Sequence, residues 1–529
     1  MSKLKKISKI KILLLGILIL AFIFRFYRLF DWFSFGMDQE YEAFLVKNIV
    51  TGRHFPLIGV NAADTGLYLG PFFIYLAVIP YLLFQGNLLS FAFFSSALGV
   101  ATTLVIFLAV RVMFNRRSAL LASFFYAVSF LASFYDRQFW NPTLVPLVSI
   151  LIGYFLFLSI TQQKKYLLAA VLVFGLGIQS HLSVWILLPL FVFLIIKYRQ
   201  TYGKIIIVQA VVLFLTLQLP VFIFELKHNF TNLRAFTALL AGGIPGINSS
   251  TLSGRWTLFL NTLGRFFWIP PRPDLFLETG QCRELAVFRK NAYPEITVLS
   301  MSCISLFIFI HKQKLKSFFT NKFHPSNILA YGLVFGVFLL TVLAVTVYPR
   351  VFSEYYLLLL FPYLAIIFGL TADYLFRHEE WIYLSATACF LFLMLNLITL
   401  FTAYSSYSFN KKMAVLKYSK NYVGEGYYSL EALGECPRFA GWRYLYEHFV
   451  GKPVYSYMDS YYDWLYYDRK SGPVDRVVLL SMIDRRIPED LLAKWQEAKL
   501  RFLTEYKIQA EKTVENIQVY ILSPKKSEK

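Results

Sequence analysis

Three carboxylates crowd the segment FGMDQEYEAF, residues 35–44: Asp38, Glu40 and Glu42. A carboxylate held beside a hydroxyl can take its proton as a general base, and a second acid is needed only if the displacement is double. The D-x-E spacing equally suits a solvated loop or the cap of a helix starting near Tyr41. Three cations stand in similarly short polar breaks: Arg137 in RQFWNP (137–142), His181 in QSHLS (179–183) and Arg350 in YPRVFSEYY (348–356). Arginine offers paired planar donors to a phosphate, and histidine one hydrogen bond or a proton. Arg137 ahead of Trp140 and Asn141 also suits interfacial anchoring, and His181 a satisfied interior position. Glu225 and His228 in FELKHNF are too few for a metal site. There is no Walker loop, dinucleotide glycine fingerprint, HExxH or paired CxxC. Cys282 and Cys436 could pair only if the fold brings them together.

The elements that must position these groups are membrane helices. A chain of 57% hydrophobic and 19% aromatic residues cannot fold around one soluble core. Apolar runs at 67–84, 88–110, 118–134, 143–160, 166–180, 182–196, 205–224, 296–310, 327–347, 355–372 and 382–403 approach the length of a bilayer-crossing helix. The first run, 12–24, has no small-residue cleavage site after it and reads as an uncleaved anchor, with Arg25 and Arg28 snorkelling to the outer interface.

Lysine and arginine collect on the cytoplasmic side, so MSKLKKISKIK lies inside and the MDQEYEAF loop outside. If every later run crossed in turn, RVMFNRRS (111–118) and QQKKY (162–166) would face outward against the charge rule. Treating 67–84, with its two prolines, as a helix lying at or dipping into the outer face restores the rule and leaves about eleven spans. The first loop, the turns at 135–143, 179–183 and 348–356, the long loop from Glu225 to Glu295, and the tail then share the outer side.

From residue 405 the sequence turns polar and tyrosine-rich, with a helix pattern at 488–503 between strand-like stretches 475–483 and 516–523. The division is a membrane domain, 1–404, and a small extracytoplasmic α/β domain, 405–529. Its tyrosines, Tyr455, Tyr457, Tyr461, Tyr462, Tyr466 and Tyr467, could stack on sugar rings or simply pack. The net charge of +21 sits largely in cytoplasmic loops and implies anionic lipid, not nucleic acid.

Read in order, MDQE, TGLYLGPFFIYL (65–76), RQFWNP, GLGIQSHLSVWILLP (175–189), LPVFIFELKHNFTNLRAF (219–236) and EYYLLLLFPYLAI (354–366) resemble the GT-C membrane glycosyltransferases. The similarity is to the bacterial branch near protein O-mannosyltransferases and lipid A aminoarabinose transferases, over roughly residues 10 to 375. That resemblance implies an all-α membrane bundle with outer-face juxtamembrane helices, and Asp38 as the catalytic carboxylate of the first outer loop. The usual acid after it is here Gln39, and the histidine often found in the late signature is here Tyr355, before Tyr356.

The implied reaction is inverting transfer of a hexosyl or pentosyl group from a polyprenyl-phosphate sugar to an extracytoplasmic acceptor hydroxyl on protein, lipid or glycan. Arg137, His181 and Arg350 are the candidates for the donor phosphate; Glu40, Tyr68, Trp140, Asn141, Arg265, Tyr355 and Tyr356 are those for the substrate cavity. No cofactor or metal ligand is assigned, and metal dependence and oligomeric state stay open. The expected location is the cytoplasmic membrane, with lipid-linked donor, acceptor and membrane lipid as partners. A transporter or flippase of lipid-linked sugars is the rival reading, against which stand spans almost free of charge and no internal repeat.

Overall fold

The computed structural model describes residues 2–525 apart from 63–64, 241–250, 272–292, 321–324, 349–351, 404, 406–407, 425, 435–440, 468–469, 483–488 and 515–516. Arg350, Cys282 and Cys436 lie outside the described residues.

The apolar runs form helices because lipid offers no partner for an open backbone. Among the described residues seven helices are long and apolar enough to cross a bilayer, or eight if the pair Arg116–Val128 and Phe130–Asp136, bent by 67°, is one span. The sequence suggests more, and the difference is local. Runs 166–180 and 182–196 become the shorter helices Tyr166–Ser180 and Leu182–Lys197, separated by extended backbone at His181. Run 67–84 becomes Phe72–Leu83, with Pro71 at its start and Pro80 inside. Its 12 residues span about 18 Å, short of the roughly 30 Å of hydrocarbon.

The first helix, Ser2–Phe26, corrects the expectation for Arg25. Its guanidinium does not snorkel; it is 0% exposed and pairs with Asp136 at 2.7 Å. It also donates to the carbonyls of Ala21 (3.2 Å) and Ala127 (3.0 Å), so the charge is matched on several sides. Gly99 on the helix Leu89–Met113 makes the space: a Cβ there would stand 2.5 Å from Asp136 Oδ2. The spans are therefore less free of charge than the sequence reading has them, but this pair is buried and matched.

Arg25 thereby fixes the bent span whose end carries Arg137. The bend itself is satisfied by side chains. Asn396 accepts from the Phe130 amide at 2.9 Å, and Ser129 Oγ donates to the Phe266 carbonyl at 2.8 Å.

After the helix Ile382–Thr402 the chain enters the α/β tail. Its strands are β1 (Tyr428–Gly434), β2 (Tyr455–Ser456), β3 (Arg476–Met482), β4 (Tyr506–Val514) and β5 (Ile517–Pro524), in sheet order β2-β1-β3-β5-β4. β1 runs parallel to β2 and β3, while β5 is antiparallel to β3 and β4. Strand alternation splits β3 between two cores. Val477 and Leu479 pack with Trp495 and Phe502 of the helix Glu489–Glu505, whereas Val478 and Leu480 join the main core.

The tail is docked onto the segment around Asp38. The Phe409 amide donates to the Phe33 carbonyl (3.1 Å), Lys412 Nζ to the Phe35 carbonyl (2.8 Å), and Asn48 Nδ2 to the Leu465 carbonyl (3.2 Å). Lys47 forms an ion pair with Glu447.

Candidate active site

The helix Met37–Val50 starts four residues earlier than the sequence suggests, at a cap where the Gly36 amide donates to the Gln39 side chain at 2.9 Å. Asp38 and Glu40 thus fall in its first turn, where the helix dipole favours acids. Helical periodicity then sorts the three carboxylates. Asp38 and Glu42, four apart, share a face, while Glu40 points elsewhere. Asp38 is exposed; Glu40 and Glu42 are each 1% exposed.

Glu40 is taken up by the tail. Its Oε2 accepts from the Tyr444 amide at 2.9 Å, in the first turn of the helix Trp442–Phe449. The approach is close because Gly441, at φ +69°, lies against the carbonyls of Phe35 and Gly36, where a Cβ would sit 2.5 Å and 2.8 Å away. Burial pushes the Glu40 carboxyl up to about 7, against the pull of the Tyr444 amide and of Arg443 and Lys412. The structure therefore places Glu40 between the domains and not on an open cavity wall.

Glu42 faces the other way. Its Oε1 accepts from the Asn141 amide at 3.2 Å, while Oε2 is buried with no hydrogen-bond partner. Burial, and after it the neighbouring charge of Asp38, hold this carboxyl well above the usual range.

From Asn141 a chain of contacts links stretches far apart in sequence. Asn141 Nδ2 donates to the Ser180 carbonyl at 2.5 Å. The next residue, His181, accepts at Nδ1 from the Ser183 amide at 3.1 Å, which assigns the ring proton to Nε2. Its ring lies 5.6 Å from Tyr355 and 5.5 Å from Tyr356, and Tyr355 meets Trp140 edge-on at 4.9 Å. Asn141, Trp140, His181, Tyr355 and Tyr356 are thus brought together beside Glu42.

Arg265 is placed behind this group. It is 0% exposed and donates through Nε to Glu354 at 2.8 Å, and Glu354 also accepts from Thr262 (3.0 Å) and Tyr135 (3.0 Å). That clamp holds the 3-10 segment Glu354–Leu360, which carries Tyr355 and Tyr356, so Arg265 is an interior support for those two tyrosines. Arg137 is also interior: 0% exposed, bonded to the Phe24 carbonyl, with its guanidinium 5.8 Å from the Trp32 ring and 5.9 Å from that of Phe130. Its Nε and Nη1 are buried without a hydrogen-bond partner.

Tyr68 is fixed through its backbone by Asn232, which accepts from the Tyr68 amide at 2.7 Å and donates to its carbonyl at 3.1 Å. Glu225 accepts from the Asn232 and Leu233 amides (3.0 and 3.1 Å) and so caps the helix Thr231–Leu240. No group of three or more metal-type ligands occurs among the described residues.

Glu42 is one of the three opening carboxylates but has no role assigned from the sequence, and Tyr135 and Glu354 are not singled out there at all. Glu42 could have been found from helical spacing, since four residues, not two, return a side chain to the face of Asp38. Tyr135 and Glu354 carry no such signal, because their meeting depends on the crossing of distant helices.

Residues 69–224 match the family described as dolichyl-phosphate-mannose-protein mannosyltransferase. Among solved structures, ArnT from Cupriavidus metallidurans bound to undecaprenyl phosphate is similar over 99% of this chain and 98% of that one, at 11% identity and a TM-score of 0.54. The fold is GT-C. The Archaeoglobus fulgidus oligosaccharyltransferase, in complex with zinc and sulfate, shares this GT-C fold over 96% of this chain and 72% of its own, at 12% identity and a TM-score of 0.51. The oligosaccharyltransferase AglB from the same organism, with an inhibitory peptide and a dolichol-phosphate, matches over 99% and 75% at 13% identity and a TM-score of 0.50. No curated protein sequence matches the chain. The 69–224 segment is thus similar to the mannosyltransferase family, and the whole chain shares the fold of ArnT and of the oligosaccharyltransferase.

Proposed function

We propose that the chain transfers a sugar from a polyprenyl-phosphate donor to an acceptor hydroxyl, at an active site on the extracytoplasmic end of its bundle. The observation that carries this reading is the division of labour among the three acids. Glu40 and Glu42 are buried and each accepts from a backbone amide, and Asp38 alone of the three is exposed, on the helix face it shares with Glu42.

Asp38 takes the proton of the acceptor hydroxyl as that oxygen bonds to C1 of the sugar. The bond from C1 to the phosphate oxygen breaks, its electron pair leaves on the polyprenyl phosphate, and C1 inverts. His181, with its proton on Nε2, donates a hydrogen bond to the leaving phosphate. The mannosyltransferase family match and the lipid phosphates named in the similar structures support a lipid-linked donor. The lysine and arginine distribution supports the orientation, with the N-terminus cytoplasmic and the tail outside.

Purified chain in detergent, given a panel of polyprenyl-phosphate sugars, should release polyprenyl phosphate from at least one of them. Failure with every hexosyl and pentosyl donor, in a protein shown to be folded, would overturn the reading.

A further inference from the structure

The tail segment DSYYDWLYY, residues 459–467, holds an exposed aromatic ridge that no part of the reaction above uses. Tyr461, Trp464 and Tyr467 are 50%, 49% and 47% exposed, an unusual display for rings on a folded surface. They are held in place from below. Leu465 and Tyr466 are buried, the Leu465 carbonyl accepts from Asn48, and the Tyr466 ring packs on Phe44 at 4.9 Å.

The ridge runs along the helix that carries Asp38. Tyr41, one turn after Asp38, lies 5.5 Å from Tyr462 and 6.0 Å from Trp464, with the latter rings at 72°. His54, beyond the other end of the same helix, lies 6.1 Å from Trp464 and 6.4 Å from Tyr467. Tyr68 approaches Tyr41 closely enough for the hydroxyls to interact electrostatically.

The charges between the rings choose among possible occupants. Residues 459–467 contain the acids Asp459 and Asp463 and no basic residue. Exposed Arg53 flanks the ridge beside His54, but an aromatic belt seated on anionic lipid would also carry lysine or arginine among its rings. Half-exposed rings interspersed with carboxylates suit a sugar chain, whose C–H faces pack on rings while its hydroxyls donate to acids.

Resting on the transferase reading, we propose that the Tyr41–Trp464–Tyr467 ridge is an acceptor subsite and that the acceptor is a carbohydrate chain, laid along the helix toward Asp38. The test uses the detergent-solubilised full chain with short manno-, chito- and galacto-oligosaccharides as probes, binding being read by saturation-transfer NMR. At least one class should bind, Trp464→Ala should weaken it about 10-fold, and Trp464→Phe should keep most of it. Binding of none, or equal binding by Trp464→Ala, overturns the proposal. So does quenching of Trp464-dependent fluorescence by brominated lipid in nanodiscs, which would seat the ridge in the membrane interface. Binding is read without turnover. A chain that releases polyprenyl phosphate but ignores every oligosaccharide overturns the ridge alone, and one that binds oligosaccharide but acts on no donor overturns the transferase reading.

Discussion

Glu42 accepts a hydrogen bond from the Asn141 backbone amide at 3.2 Å, joining the helix that carries Asp38 to the turn beside Ser180 and His181. Because burial and the charge of Asp38 push this carboxyl up and favour its protonated form, Glu42→Gln should retain sugar transfer within about 3-fold. Glu42→Ala leaves the Asn141 amide without its partner and opens a cavity. A loss of about 2 kcal/mol in stability and roughly 10-fold or more in transfer is expected. Steady-state kinetics and thermal melts of the three proteins decide it. A folded but inactive Glu42→Gln would mean that an ionised Glu42 takes part in the reaction.

Glu40 gives the tail docking a pH dependence of definite sign. Its folded value, raised by burial to about 7, exceeds the ordinary 4.5, so the folded chain holds the proton more firmly than the unfolded one. This contribution is complete below about 4.5 and is lost as pH rises through 7, amounting to roughly 3 kcal/mol. Relative to Glu40→Gln, which cannot titrate, the native chain should lose thermal stability between pH 5 and pH 8. A constant difference across that range would contradict the placement of Glu40.

Gly441 should tolerate no side chain. Its φ of +69° disfavours any other residue, and a Cβ would press on the Phe35 carbonyl at 2.5 Å. Gly441→Ala should cost about 1–3 kcal/mol and speed protease release of the tail. Unaltered proteolysis would show that the tail is held mainly elsewhere.

The Arg265–Glu354 pair is expected to act through Tyr355 and Tyr356. Removing one partner leaves an uncompensated buried charge, so Arg265→Met should destabilise the chain by about 3–5 kcal/mol. The double variant Arg265→Met with Glu354→Gln should recover a large part of that loss, as melting curves will show. Double-variant stability no better than the single would argue against the pairing.

The membrane class and the α/β tail were legible because composition and run length are local properties of the sequence, while the GT-C fold was implied by the resemblance of the ordered outer-face motifs to that family. β3 and β5 were legible as apolar runs (RVVLLSM and IQVYILS), whereas β4 (YKIQAEKTV) is exposed and charge-rich, and only Tyr506, Ile508 and Ala510 alternate in it with polar residues. Arg25 shows the limit of reading a charge by its depth. Whether it snorkels or turns inward depends on Asp136 and on the bare backbone at Gly99, both distant in sequence. At the site, the starting point of one helix made the difference. With the helix beginning at Met37 the relevant spacing is Asp38 to Glu42, and the D-x-E pattern that directs attention to Glu40 belongs to a loop that does not exist.

The most direct test compares the native chain with Asp38→Asn, using the same polyprenyl-phosphate sugar and measuring donor binding and release of polyprenyl phosphate in one preparation. Equal donor binding with turnover reduced about 1,000-fold or more is the expected result for loss of a general base in a preorganised site. Equal binding with equal turnover would contradict it, and would move the base away from the only exposed carboxylate of residues 38–42.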